Sequence, residues 1–156
     1  ARRVIGYLTW MIHYSPQLIN KIAKKFHFTA TLKSLLLSGC EFWQTLNTWD
    51  AEKPSQVVER LENINPVIYY VVYQLCMCLG VYEQAAGQIL EYYRKWRFIL
   101  PRTTGIDLRR RGLPPGPVYK EILGHLRSGW LDGMITTVEE EEALLENMIR
   151  ERNDLA

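Results

Sequence analysis

Proline cuts this chain into pieces, and within each piece the apolar residues return at helical intervals. A proline fixes φ and has no N–H to donate, so it starts a helix readily and sits badly inside one. Pro16 follows Ser15 and Pro66 follows Asn65, and both preceding residues are good N-caps. Val4, Ile5, Leu8 and Ile12 predict a first helix that stops before Ser15, and Leu18, Ile19, Ile22 and Ala23 predict the inner face of a second. Leu32, Leu35, Leu36, Phe42, Trp43 and Leu46 predict a longer helix over residues 31–46. Pro54 opens another over Val57, Val58 and Leu61, Pro66 one over Ile68, Val71, Val72 and Leu75, and a further helix is expected over 82–96. The run Val67-Ile68-Tyr69-Tyr70-Val71-Val72-Tyr73 has the composition of a strand. With no second strand to take its backbone hydrogen bonds, it reads as a buried helix. The expected fold class is all-α.

The texture changes after Pro101, where Gly105, Gly112, Pro114, Pro115, Gly116 and Pro117 follow in close order. A subdomain boundary is expected near residue 98. It would separate an irregular helical bundle, or body, over 1–98 from a smaller helical tail over 99–156 with a Pro/Gly-rich connector. In the tail, Thr103, Thr104 or Asp107 can cap a short helix over 106–111, with Gly112 as its left-handed stop. Pro115-Gly116-Pro117 opens the next helix, which carries Glu121, Ile122, Leu123, Leu126 and Leu131. After the Asp132-Gly133 turn, Thr136 or Thr137 begins the last, each followed three residues later by a glutamate that completes a capping box. Four glutamates (Glu139, Glu140, Glu141, Glu142) lie at its positive end, and Arg150 and Arg152 near its negative end.

Of the 156 residues 47% are hydrophobic, enough for a packed core, yet the longest apolar run is far too short to span a bilayer. Cys40, Cys76 and Cys78 are an odd set without a C-x-x-C pair, which points to reduced thiols and a cytoplasmic location. His13, His27 and His125 show no ligand spacing with them, so no metal site is expected. Catalysis has little support either. Consecutive glutamates fan around a helix instead of converging on Mg²⁺, and read as a solvated first turn. The chain has no G-x-S-x-G nucleophile elbow and no G-x-x-x-x-G-K-[ST] phosphate loop. It opens at Ala1, without an initiator Met and directly in a helical pattern, as a piece of a longer protein would.

The net charge of +2 conceals a segregation. Residues 1–93 carry 8 basic and 7 acidic residues, 94–127 carry 9 and 2, and 128–156 carry 2 and 8. The middle stretch is what a polyanion would be drawn to. Two helix starts lie close together there, with backbone N–H groups to offer and glycines that let a phosphate approach. The candidate RNA-binding residues are therefore Arg102, Thr104, Gly105, Asp107, Arg109, Arg110, Arg111, Gly112, Gly116 and Lys120. The competing reading is a connector whose arginines pair with the acidic last helix. Tyr92, Tyr93, Trp96 and Phe98 interleave with Arg94, Lys95 and Arg97, a mixture that can stack exposed bases or simply place half its rings in a core.

The pattern T-G-x-D-L-x-x-x-G-L-x-P-G-P-x-x-x-x-I-L followed by L-x-x-x-x-L-D-G-x-[IV]-x-T-x-E-E, over residues 104–140, resembles the C-terminal end of bacterial tRNA nucleotidyltransferases and related poly(A) polymerases. Lys120 stands where many members have glycine. Ile12-His13-Tyr14 and Lys24-Lys25-Phe26 are similar in pattern to the family's body region. The resemblance implies a catalytic head on the N-terminal side, outside these residues, that binds Mg²⁺ and a nucleoside triphosphate and adds CCA or A residues to RNA 3′ ends. It implies that the present residues are the non-catalytic body and tail. These would hold RNA, chiefly the tRNA acceptor and elbow region, through its backbone, with no cofactor of their own and no membrane partner. The alternative is a helical interaction, dimerisation or regulatory module, a homodimer among its forms, whose basic stretch docks onto its own glutamates.

Overall fold

The computed structural model describes residues 2–49 and 53–154, and every regular element among them is a helix. The chain divides into two compact units, one of residues 1–52 and 56–94, the other of 95–156 together with 53–55. Among the described residues no helix is long and apolar enough to cross a membrane.

The first unit contains α1 (Arg2–Met11), α2 (Pro16–Lys25), α3 (Ala30–Thr45), most of α4 (Pro54–Glu62), α5 (Pro66–Leu79) and α6 (Glu83–Arg94). Local chemistry starts these helices. The Ser15 hydroxyl accepts the Leu18 N–H at 3.3 Å, Thr29 the Leu32 N–H at 3.3 Å, and the Asn65 side chain the Val67 N–H at 3.0 Å. The strand-like run lies inside α5, with Ile68, Tyr69, Val71, Val72 and Cys76 turned inward. α3 packs against α1, α2 and α5, and α5 also packs against α6. Leu8, Ile19, Leu36 and Ile68 have no solvent exposure, and each such side chain contributes about 1.5–3 kcal/mol by leaving water. Two details depart from the sequence reading. Leu18 lies off the inner arc of α2 and is 41% exposed. α6 ends at Arg94, before Trp96, which begins one turn of 3₁₀ helix after Lys95 leaves helical geometry.

The second unit contains α7 (Gly105–Arg110), α8 (Pro117–Leu131) and α9 (Val138–Asp154) around Leu108, Leu113, Ile122, Leu126, Ile135 and Leu145. Gly129 permits the tight return after α8, because a Cβ there would lie 2.5 Å from the Ile135 side chain. Residues 53–55 belong here through Ser55, whose N–H and hydroxyl both donate to the Asp132 carboxylate at 2.9 and 2.7 Å.

Candidate nucleic-acid interface

Four consecutive glutamates opening one helix point in four directions, 100° apart, so one of them must face the core. That one is Glu141, 1% exposed. Its carboxylate accepts the Arg102 N–H at 3.0 Å, the Thr103 N–H and hydroxyl at 2.6 Å each, and the Trp130 indole N–H. Burial pushes its pKa up, but the Thr103 hydroxyl, the Arg102 and Thr103 N–H groups and Trp130 outweigh that and hold it below 4.5. The expectation of a wholly solvated acidic turn is therefore corrected at Glu141, which fastens the segment before α7 to α9. Glu140 accepts from Thr136 and Thr137 while Thr137 accepts the Glu140 N–H at 3.2 Å, the capping box expected for this helix. These donors, the Thr136 N–H first, lower the Glu140 pKa. Glu142 is exposed and binds Arg111.

The same economy governs α7. The Thr104 hydroxyl donates to Asp107 at 2.6 Å, the Thr104 N–H does so at 2.9 Å, and the Asp107 N–H donates back to the Thr104 hydroxyl at 3.4 Å. Thr104 first, then the neighbouring Arg110 and Arg111, holds the Asp107 carboxyl below its ordinary value. Gly105 begins the helix beside the Tyr119 ring, which would lie in ordinary contact, 3.4 Å, from a Cβ there. Gly112, at φ +85, ends the helix in a left-handed turn, with the Leu113 N–H donating to Leu108 at 3.2 Å. Thr104, Gly105, Asp107 and Gly112 thus build the turn itself. The N–H groups of Thr104, Asp107 and Gly112 and the Thr104 hydroxyl already donate within the protein. Gly116 differs: its backbone is extended, nothing lies within 4 Å of where a Cβ would be, and it caps α8 without a side-chain hydrogen bond.

The cations divide. Arg111 is neutralised by Glu142, as the connector reading requires. Arg110 stands 3.6 Å from Asp107, yet its side chain is 78% exposed. Arg102, Arg109 and Lys120 are exposed and make no ion pair among the described residues. A cleft of about 440 Å³ is lined by Arg102, Thr103, Asp107, Arg110, Arg111, Val138, Glu141 and Glu142. Its three arginines face three carboxylates, so the cleft itself is balanced in charge, and Arg109 and Lys120 do not line it. Of the interleaved aromatics, Tyr92 is buried, Tyr93 and Phe98 are exposed, and the Arg97 guanidinium lies 4.5 Å from the centre of the Phe98 ring. Sequence reasoning missed Glu141, Thr103 and Trp130 as a unit, since the partners lie 38, 39 and 11 residues apart. Comparison with known protein families, with curated proteins and with solved structures finds no match for this chain.

Proposed function

We propose that this chain holds RNA by its phosphate backbone, as the non-catalytic C-terminal part of a nucleotidyltransferase that adds CCA or A residues to RNA 3′ ends. The tRNA acceptor and elbow are the region held. The observation that carries this reading is the asymmetry of the tail's charges. Arg102, Arg109, Arg110 and Lys120 are exposed, whereas Asp107 and Glu141 beside them have their carboxylates filled by the protein's own donors. A phosphate approaching the exposed arginines meets guanidinium forks suited to its oxygens, while the neighbouring carboxylates, though ionised, are occupied by the protein's own donors. The open backbone at Gly116 admits it closely. Such contacts read no bases, so binding is insensitive to sequence and steep in salt.

The test is a filter-binding titration with a tRNA transcript at a series of salt concentrations. Replacing Arg109, Arg110 and Arg111 together by Ala should lower the slope of log K against log salt by about two, one for each phosphate no longer neutralised. The third arginine counts little because Glu142 already holds it. Salt-independent binding, or an unchanged slope in the triple variant, would overturn the reading. The Arg111–Glu142 pair favours the second reading, a module whose basic stretch docks on its own acidic helix. Light scattering separates the two, since a dimer indifferent to RNA belongs to that alternative.

A further inference from the structure

The first 40 residues contain six basic side chains (Arg2, Arg3, Lys21, Lys24, Lys25, Lys33) and no acidic one. Five of the six are exposed and Lys33 is half-buried, and none makes an ion pair among the described residues. The fold sets three of them on one helix face. α2 turns Ile19 and Ala23 toward α3, which leaves Lys21, Lys24 and Lys25, three and four residues apart, on its outer face. The centre of the Tyr7 ring on α1 lies 5.2 Å from that of Phe28, just past the end of α2. Arg3, one turn before Tyr7, is thereby brought to the same end of the unit. Phe26 lies there too, 63% exposed, with the Lys25 ammonium 5.9 Å from its ring. His27 follows in the left-handed region at φ 52, and the Phe28 N–H donates to Ala23 at 2.9 Å. Gly80, Gly112 and Gly133 occupy the equivalent place after α5, α7 and α8. Here alone among those four helix ends an imidazole is set into the strained position, and it faces solvent.

We infer that this corner, the outer face of α2 with the start of α1, is a second phosphate-binding surface, which grips an RNA strand and stacks one of its bases on Phe26. Charge complementarity selects the occupant: clustered lysines that make no ion pair among the described residues attract a polyanion. An anionic bilayer is the lesser fit, because an amphipathic helix binds lipid by inserting its apolar face, and that face of α2 is covered by α3. Phe26 gives the surface something a bare basic patch lacks, a ring on which an unpaired base can lie. This surface stands on observations separate from those of the tail and does not need the tail to bind.

The experiment uses the full chain with a fluorescent single-stranded RNA dodecamer, and anisotropy read over a salt series. The triple variant Lys21→Ala/Lys24→Ala/Lys25→Ala should reduce the slope by about 0.7 for each phosphate it no longer neutralises, roughly two in all. Lys→Arg at the same positions should retain the slope. Phe26→Ala should weaken binding about fivefold or more with the slope unchanged, since stacking carries no counterion. All these side chains are exposed, so circular dichroism should show an intact helical fold. An unaltered slope in the lysine triple variant overturns the inference. So does binding to phosphatidylserine vesicles that the triple variant abolishes while its RNA slope stays the same. Running Arg109→Ala/Arg110→Ala/Arg111→Ala alongside distinguishes the two surfaces. A response to that variant alone preserves the proposed function and removes this one, and a response to the lysine variant alone does the reverse.

Discussion

A carboxylate closed off from water needs a donor for nearly every lone pair it would have offered to solvent, and Glu141 has four. Removing the side chain leaves the Arg102 and Thr103 N–H groups and the Trp130 indole N–H without a partner. Each orphaned buried donor costs about 1–3 kcal/mol, so Glu141→Ala should destabilise the tail by about 3 kcal/mol or more. Glu141→Gln keeps one acceptor oxygen and should cost clearly less. Urea unfolding followed by Trp130 fluorescence measures both, and an Ala variant within about 1 kcal/mol of the parent would mean these donors find water instead. The contrast between Glu140 and Glu141 shows what a sequence reveals at this scale. The capping box is a relation over three residues, T-x-x-E, and was legible. The burial of the next glutamate depends on Thr103, 38 residues away, and no local pattern carries that. The pairing of Arg111 with Glu142 was legible only as one of two alternatives, because the charges were visible but their spacing in the fold was not.

Among the described residues, four helices close on a residue in the left-handed region, three of them on glycine, and the fourth is testable. α5, α7 and α8 close on glycine in the left-handed region, while α2 closes on His27. A side chain with a Cβ in that region costs about 1 kcal/mol, so His27→Gly should stabilise the first unit by roughly that amount, or about 4–8 °C in Tm for a unit of this size. Gly112→Ala should lower the stability of the tail by a similar amount, and calorimetry on both variants checks the pair of signs. Starts and stops were the most legible features of the fold, because a cap, a proline or a glycine acts within one turn. Ser15-Pro16, Asn65-Pro66 and Gly112 fell where their chemistry put them. The end of α6 was less so: Trp96 continues the apolar spacing, but the backbone has already broken at Lys95.

Over the whole chain, charge read in broad windows concealed what it should have shown. Residues 1–93 are close to neutral because six cations before Glu41 are offset by acids that come later in sequence, yet among the described residues none of the six is ion-paired with them. The titrating groups are divided between the units just as unevenly. Asp107, Glu140 and Glu141 all lie in the second unit and all have lowered pKa values. A lowered carboxylate contributes stability that is present above its unfolded value, near 3.8 for Asp107 and 4.5 for the glutamates, and is lost as pH falls through its folded one. In the first unit two thiols are shifted: burial raises Cys40, and pushes Cys76 up to about 11. A raised thiol contributes stability that is intact below 9 and is lost as pH rises from there toward 11. Acid should therefore loosen the tail first, and alkali the body first. Hydrogen exchange followed by mass spectrometry, expressed as protection factors, reads the two units separately. Below pH 4.5 protection should fall in α8 and α9 while α3 and α5 hold, and above pH 9 the order should reverse. Cys76→Ala should flatten the alkaline limb and leave the acid limb as it was. Protection lost in step across both units at either extreme would show that they open as one and that these groups do not govern either.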